Sequence, residues 1–384
     1  MVSIWRIRAA EPSRICSMTL LWLLLLFFVP QTSAERAASD QFVQVSNQAA
    51  KAREEERLED AERLYREAVR LRPDWKEGWW YLGTMFYDQD RYEKARVAWR
   101  RFTVLDPKVG AAWAFLGLCE YETKAYDEAL VHLQKGRTLG LDESSQLSAV
   151  TRYHIALLLT RSGQFEAALE VLMKFAEQGN EGPDFVEAAG LAALRKPLLP
   201  KELPPMEREL VLQVGHAVMD TGARRAAEAQ KEFEDLVASH PKTPHLHYLF
   251  GSFLLTSDSD AGLHELKNEL EISPGDLPAL AQIAFEYVRR RDAAAALPYA
   301  QKAAESDPQS FIAHIALGRA LVESGKLDQG IKELELCKQK SPGSPQTRFA
   351  LASAYAKAGR KGDAARERTE FLKLEQLTKK PEEP

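Results

Sequence analysis

Six prolines stand at nearly one interval along this chain. Pro73 and Pro107 are 34 residues apart, and Pro241, Pro274, Pro308 and Pro342 follow one another at 33, 34 and 34. Each closes a helix-like stretch, in LRPD, LDP, SHP, ISPGD, SDP and KSP. Proline lacks the N–H and its ring collides with the preceding turn, so a periodic proline is a periodic helix stop. The chain is therefore expected to be a series of short helices cut to one length.

Apolar columns align between the stops. Trp79, Leu82-Gly83, Phe86, Ala95, Trp99, Phe102 and Pro107 recur as Trp113, Leu116-Gly117, Ala129, Leu133 and Gly136. They return as Leu280, Ile283-Ala284, Tyr287, Ala296, Ala300 and Pro308, as His314, Leu317-Gly318, Leu321, Gly330, Leu334 and Pro342, and as Leu351-Ala352, Tyr355, Ala364 and Phe371. Apolar residues at i, i+3, i+4 and i+7 put one stripe on a helix, and two such helices per unit make an antiparallel hairpin. Turns between them are expected at Asp88-Gln89-Asp90, Ser162-Gly163, Ser324-Gly325 and Ala358-Gly359. One hairpin cannot bury its stripe alone, whereas stacked neighbours share a continuous core.

The pattern W-x-x-L-G-x-x-Y, A-x-x-x-F, P resembles that of the tetratricopeptide repeat. The resemblance implies an all-α, right-handed superhelical solenoid of antiparallel helix pairs. Nine units fit the register: 42–75, 76–109, 110–143, 149–182, 210–243, 244–276, 277–310, 311–344 and 345–376. The interval 183–209 does not fit; a helix-like run from Asp184 to Arg195 precedes Pro197, Pro200, Pro204 and Pro205. It reads either as a packed helix with a loop, or as a joint between an N-terminal array (35–182) and a C-terminal array (210–376). Residues 377–384 form a polar tail.

The first 34 residues carry a different signal. Arg6, Arg8 and Arg14 precede the 12-residue apolar run from Met18 to Val29, followed by Pro30 and the small residues Thr32-Ser33-Ala34. That order is the layout of a secretory signal peptide cleaved after Ala34. The run is short of the ~20 residues of a spanning helix, so no stable membrane span is expected after cleavage; an uncleaved tether is the alternative. Without residues 1–34 the chain keeps 48 basic and 55 acidic groups, a formal charge of −7. That balance argues against a nucleic-acid partner. Only Cys119 and Cys337 remain, so an exported chain must draw its stability from apolar packing rather than disulfides. The expected location is the bacterial periplasm or outside the cell.

No nucleotide-binding, nucleophile-elbow or zinc-protease motif is present. The repeats occupy nearly everything between Phe42 and Leu374, so no catalysis and no cofactor are expected. His240, His245, His247 and His264 lie close in sequence, yet His245 and His247 are two apart and point to different sides of a helix. A structural or surface role is favoured over metal ligation. The resemblance implies that first helices line a concave, peptide-binding face. Its columns here carry Trp80, Thr84, Tyr87, Phe115, Leu118, Tyr121, Tyr153, Leu157, Val214, Val218, Tyr248, Ser252, Phe285, Ile315, Arg319 and Phe349. Aromatic rings offer large contact area at low entropy cost, so these rings either grip a partner or pack between repeats. Members of the family that hold acidic C-terminal tails use a Lys and Asn clamp. The matching positions here, Ser46, Ala50, Trp80, Thr84, Ala114 and Leu118, cannot form it. The expected role is a scaffold binding an apolar or aromatic protein segment, with a structural subunit of an envelope assembly as the alternative.

Overall fold

A computed structural model describes residues 33–142 and 144–379. Residues 1–32 of the signal-peptide layout and 380–384 of the polar tail lie outside the described residues, while 33–34 and 377–379 are helical. Among these there are nineteen α-helices and no strand. They fall in pairs: α1 (Ser33–Glu54) with α2 (Leu58–Leu71), α3 (Lys76–Asp88) with α4 (Tyr92–Leu105), and α5 (Gly110–Glu122) with α6 (Tyr126–Thr138). Then come α7 (Gln146–Arg161) and α8 (Phe165–Glu177), the odd helix α9 (Pro183–Ala193), and α10 (Arg208–Gly222) with α11 (Ala226–Ser239). The remaining pairs are α12 (Leu246–Leu254) with α13 (Ser259–Ile272), α14 (Leu277–Arg289) with α15 (Ala293–Ser306), α16 (Phe311–Glu323) with α17 (Leu327–Lys340), and α18 (Pro345–Lys357) with α19 (Lys361–Lys379). Every expected unit is a helix pair.

The proline stops work through the residue before them. Arg72, Asp106, His240, Ser273, Asp307 and Ser341 all sit at φ between −126° and −145° with positive ψ. Each is pushed out of the helical region by the following proline ring. The turn inside eight of the nine described pairs, all but α12 with α13, is equally regular. Glu56, Asp90, Lys124, Arg224 and Arg291 take positive φ, as do Gly163, Gly325 and Gly359. One left-handed residue reverses the chain between first and second helix.

Small residues let the paired helices meet. A Cβ on Gly83 would lie 2.6 Å from Cε2 of Trp99, so this glycine is required by the indole packed over it. Trp99 is fully buried and stacks on Phe115 of the next unit at 4.9 Å and 9°. The stripe of one pair is thus covered by its neighbour.

The chain divides into two compact units, one holding residues up to 172 with 197–201, the other residues 173–196 and those from 202 onward. In the first, α5 meets α7; in the second, α12 meets α14, α14 meets α16 and α16 meets α18. First helices therefore line one face from α5 to α7 and another from α12 to α18. In the second unit α9 packs flush on α10. A Cβ on Gly190 would stand 1.8 Å from the Val211 carbonyl oxygen, and one on Gly215 2.0 Å from that of Val186. No described helix is long and apolar enough to cross a membrane.

Candidate functional site

The first-helix face of the first unit is a ladder of rings. Trp80 is buried, edge-on to Trp99 at 5.0 Å and to Phe102 at 5.2 Å. Phe115 is buried between Trp99 and Tyr87, whose centroid lies 5.1 Å away. Burial pushes the Tyr87 phenol well above its ordinary range. Thr84 is half-buried and donates its hydroxyl to the Tyr81 carbonyl at 3.0 Å. Tyr121 and Leu157 are buried. Tyr121 and the half-buried Tyr153 both meet the imidazole of His154, at 4.6 and 5.5 Å. The sequence-predicted rings are therefore brought together, and their contacts run largely through one another and the second helices.

The proline-rich segment adds a cover. Leu199 is fully buried, and the Lys201 ammonium lies 5.6 Å from the Tyr121 ring and 5.9 Å from that of Tyr126. Glu122 sits beside it; burial raises its carboxyl, and the pull of Lys201 offsets this only in part.

The second unit presents a different face. Leu118 of the first unit has buried counterparts here in Val214, Val218 and Ile315, while Tyr248, Ser252, Phe285 and Arg319 are half-buried. Tyr248 packs on the core of Leu263, Leu266, Ala279 and Ile283. Phe349 is 58 % exposed. Around it a cavity of about 380 Å³ is lined by Val288, Arg289, Arg319, Val322, Phe349 and Lys357, among others. The Arg319 guanidinium lies over the Phe285 ring at 5.1 Å. Sequence columns had singled out Phe285, Arg319 and Phe349, but not Arg289, Val322 or Lys357.

The four clustered histidines do not converge. His247 bonds Glu265 at 2.6 Å and the Pro241 carbonyl at 3.1 Å. His264 is exposed, and His240 meets Ser239 at 2.9 Å. Instead, His245 stands with Glu269 and Asp276, their ligand atoms within 4.8 Å of one another. These three could hold a metal ion, but their oxygens are already engaged. Glu269 accepts from the N–H of His245 at 2.9 Å and of Tyr248 at 3.3 Å, capping α12. Asp276 accepts from the N–H of Ala279 at 2.8 Å, capping α14, and faces His245 Nδ1 at 2.8 Å. Burial raises the Glu269 carboxyl despite these bonds.

The helix pairs, their proline stops and their shared ring layer match a known family. The tetratricopeptide-repeat model fits residues 47–101, 86–136 and 283–345. These three regions are tetratricopeptide repeats. Such repeats support a protein-interaction scaffold. No curated protein matches the chain. Among solved structures, it is similar to MamA AMB-1, at 22 % identity over 42 % of this chain and 96 % of that one, with a TM-score of 0.36. It is also similar to MamA 41-end from Desulfovibrio magneticus RS-1, at 17 % identity over 44 % and 96 %, with a TM-score of 0.39.

Proposed function

We propose that this protein is a non-catalytic adaptor that holds a segment of another exported protein on its first-helix face. The arrays 35–182 and 210–376 form its working halves. The supporting observation is Phe349, a large ring left mostly in solvent beside Arg319 and a cavity, on the face that successive first helices share. In the first unit the rings Trp80 and Phe115 are covered, which leaves Tyr153, Thr84 and the edge of Tyr87 as the half-buried contact positions. An apolar or aromatic partner segment suits such a surface, since aromatic anchors dominate binding energy when water is excluded around them.

Export to the periplasm or exterior rests on the charged, apolar and small-residue order of residues 6–34. Two buried free cysteines accord with it. Burial raises both thiols, Cys337 to about 11, and so keeps them from the thiolate form that oxidises. N-terminal sequencing of the cell-envelope protein should find Glu35 first.

A second reading has its own observation. Val97 on α4 and Val131 on α6 are 34 residues apart, and both are exposed, 59 % and 60 %. They hold equivalent places on successive second helices, and Val104 adds a third exposed valine to α4. Contact through this stripe would make the protein a subunit of a larger envelope assembly. Photo-crosslinking residues placed at Phe349 and Tyr153, or at Val97 and Val131, separate the two. One partner captured repeatedly from the first pair supports the adaptor; capture from the valines alone overturns it.

A further inference from the structure

We propose that the first-helix face of the C-terminal array carries an anion subsite centred on Arg319, which takes an acidic side chain from an extended partner peptide. This rests on the first-helix face being the partner-binding one.

Arg319 is a half-buried cation with no carboxylate partner among the described residues. Its sequence neighbour at i+4 is Glu323, the usual partner on a helix. Yet Glu323 is bound at 2.5 Å by Lys357, one repeat further on. Arg289 is likewise committed, to Glu286 at 2.7 Å. Arg291, on the turn after α14, lines the same cavity and has no carboxylate partner among the described residues. Burial draws the Arg319 guanidinium below the usual arginine range, although it stays charged. An unpaired cation held out of water is costly, and the cost is relieved when an anion arrives.

The geometry selects the anion. The Phe285 ring covers one face of the guanidinium, which leaves its edge N–H groups for a ligand. Those donors form a planar fork that matches a carboxylate in two parallel hydrogen bonds. With Lys357 paired to Glu323 and Arg289 to Glu286, Arg291 and Arg319 are the two positive charges on the cavity wall without a carboxylate among the described residues. Val288, Val322, Leu334, Ala350 and the exposed Phe349 make the rest of the wall apolar apart from Ser353. A free phosphate would satisfy the arginine and leave Phe349 in water. A glutamate or aspartate with apolar neighbours satisfies both.

The test uses the full exported chain and a fluorescein-labelled, end-capped peptide of alternating Ser and Leu with one central Glu. A second peptide replaces that Glu with Gln, and a third with phosphoserine; binding is read by anisotropy. The expected result is an affinity for the Glu peptide at least about tenfold above that for the Gln peptide, a charge-assisted pair against a neutral one. Arg319→Gln should abolish that ratio with circular dichroism and melting unchanged, and Arg319→Lys should reduce it. Phe349→Ala should weaken Glu and Gln peptides equally. Equal binding of the two by the wild type overturns the subsite while leaving the face standing. Binding of neither overturns both. Binding of the phosphoserine peptide alone overturns the assignment to a carboxylate.

Discussion

The indole N–H of Trp79 donates to the carbonyl of Pro73 at 2.8 Å. The same six-residue reach recurs from Trp113 to Pro107 at 2.9 Å, from His247 to Pro241, and from His314 to Pro308 at 2.9 Å. Arg348 makes it to Pro342 at 3.0 Å. A column that reads in sequence as helix-face packing is therefore also a latch. Its donor ties each of these five first helices back to the proline that ended the previous helix, occupying a carbonyl that helix formation leaves open. This explains why Trp, His and Arg share one position: all three carry a ring or guanidinium N–H at the right reach.

Replacing Trp79 with Phe keeps the ring and removes the donor. The bond is near solvent, so the expected loss is about 1 kcal/mol. A lowered urea midpoint with unchanged slope checks it, and His314→Phe should cost more, since it also removes the contact with Glu333 at 2.8 Å.

The pairing of first and second helix is far less forgiving at Gly83. A methyl there would press on Trp99 at 2.6 Å, and that indole is itself pinned by Trp80, Phe102 and Phe115. Gly83→Ala should cost about 1–3 kcal/mol, the range for overpacking a filled core. Near-ultraviolet circular dichroism should change with it, since the displaced chromophore is a tryptophan.

How much of this could be read from residues alone follows from what sets each feature. Helix pairs, stops and turns depend on local chemistry, proline at Pro107 or a small residue at Gly83, and all were legible. Whether Trp80 faces a partner or a neighbour depends on where Trp99 and Phe102 place their rings, which no spacing encodes. Arg319 was legible as a first-helix residue; its lack of a partner was not. Sequence offers it Glu323 one turn away, and only packing between consecutive repeats shows Lys357 taking that carboxylate. The cover of Leu199 and Lys201 was hidden for the same reason, because contact across many residues leaves no periodic trace.

The last helix is tied down by charge. Glu367 of α19 is buried and accepts from Arg348 at 2.7 Å and Lys338 at 3.1 Å. Burial pushes its carboxyl up, but the two cations outweigh this and hold it below the ordinary range. A depressed carboxyl stabilises the fold above its unfolded pKa, and that contribution is lost as pH falls through the folded value. Glu367→Gln should cost about 1.5–3 kcal/mol, because Arg348 loses its carboxylate while Lys338 keeps Glu335 at 2.6 Å. Hydrogen exchange should show α19 losing protection first, with α14 to α16 unaffected.

His154 gives the opposite chemistry and a separate pH window. Its imidazole lies between Tyr121 and Tyr153, and its Nδ1 is 2.8 Å from the Val150 carbonyl. Burial pulls its pKa from 6.5 to about 4, with the Val150 bond opposing. Above pH 6.5 both folded and unfolded states are neutral and the group has no effect. Between about pH 6.5 and about pH 4 the unfolded chain takes up a proton that the folded one refuses, so stability falls as pH falls. Below about pH 4 both are protonated and the loss levels off. His154→Phe keeps the ring contacts and removes the proton, so the wild type should lose stability relative to this variant as pH falls from about 6.5 to about 4, read as a changing difference between their urea midpoints. Parallel declines in the two proteins would show that another group titrates there.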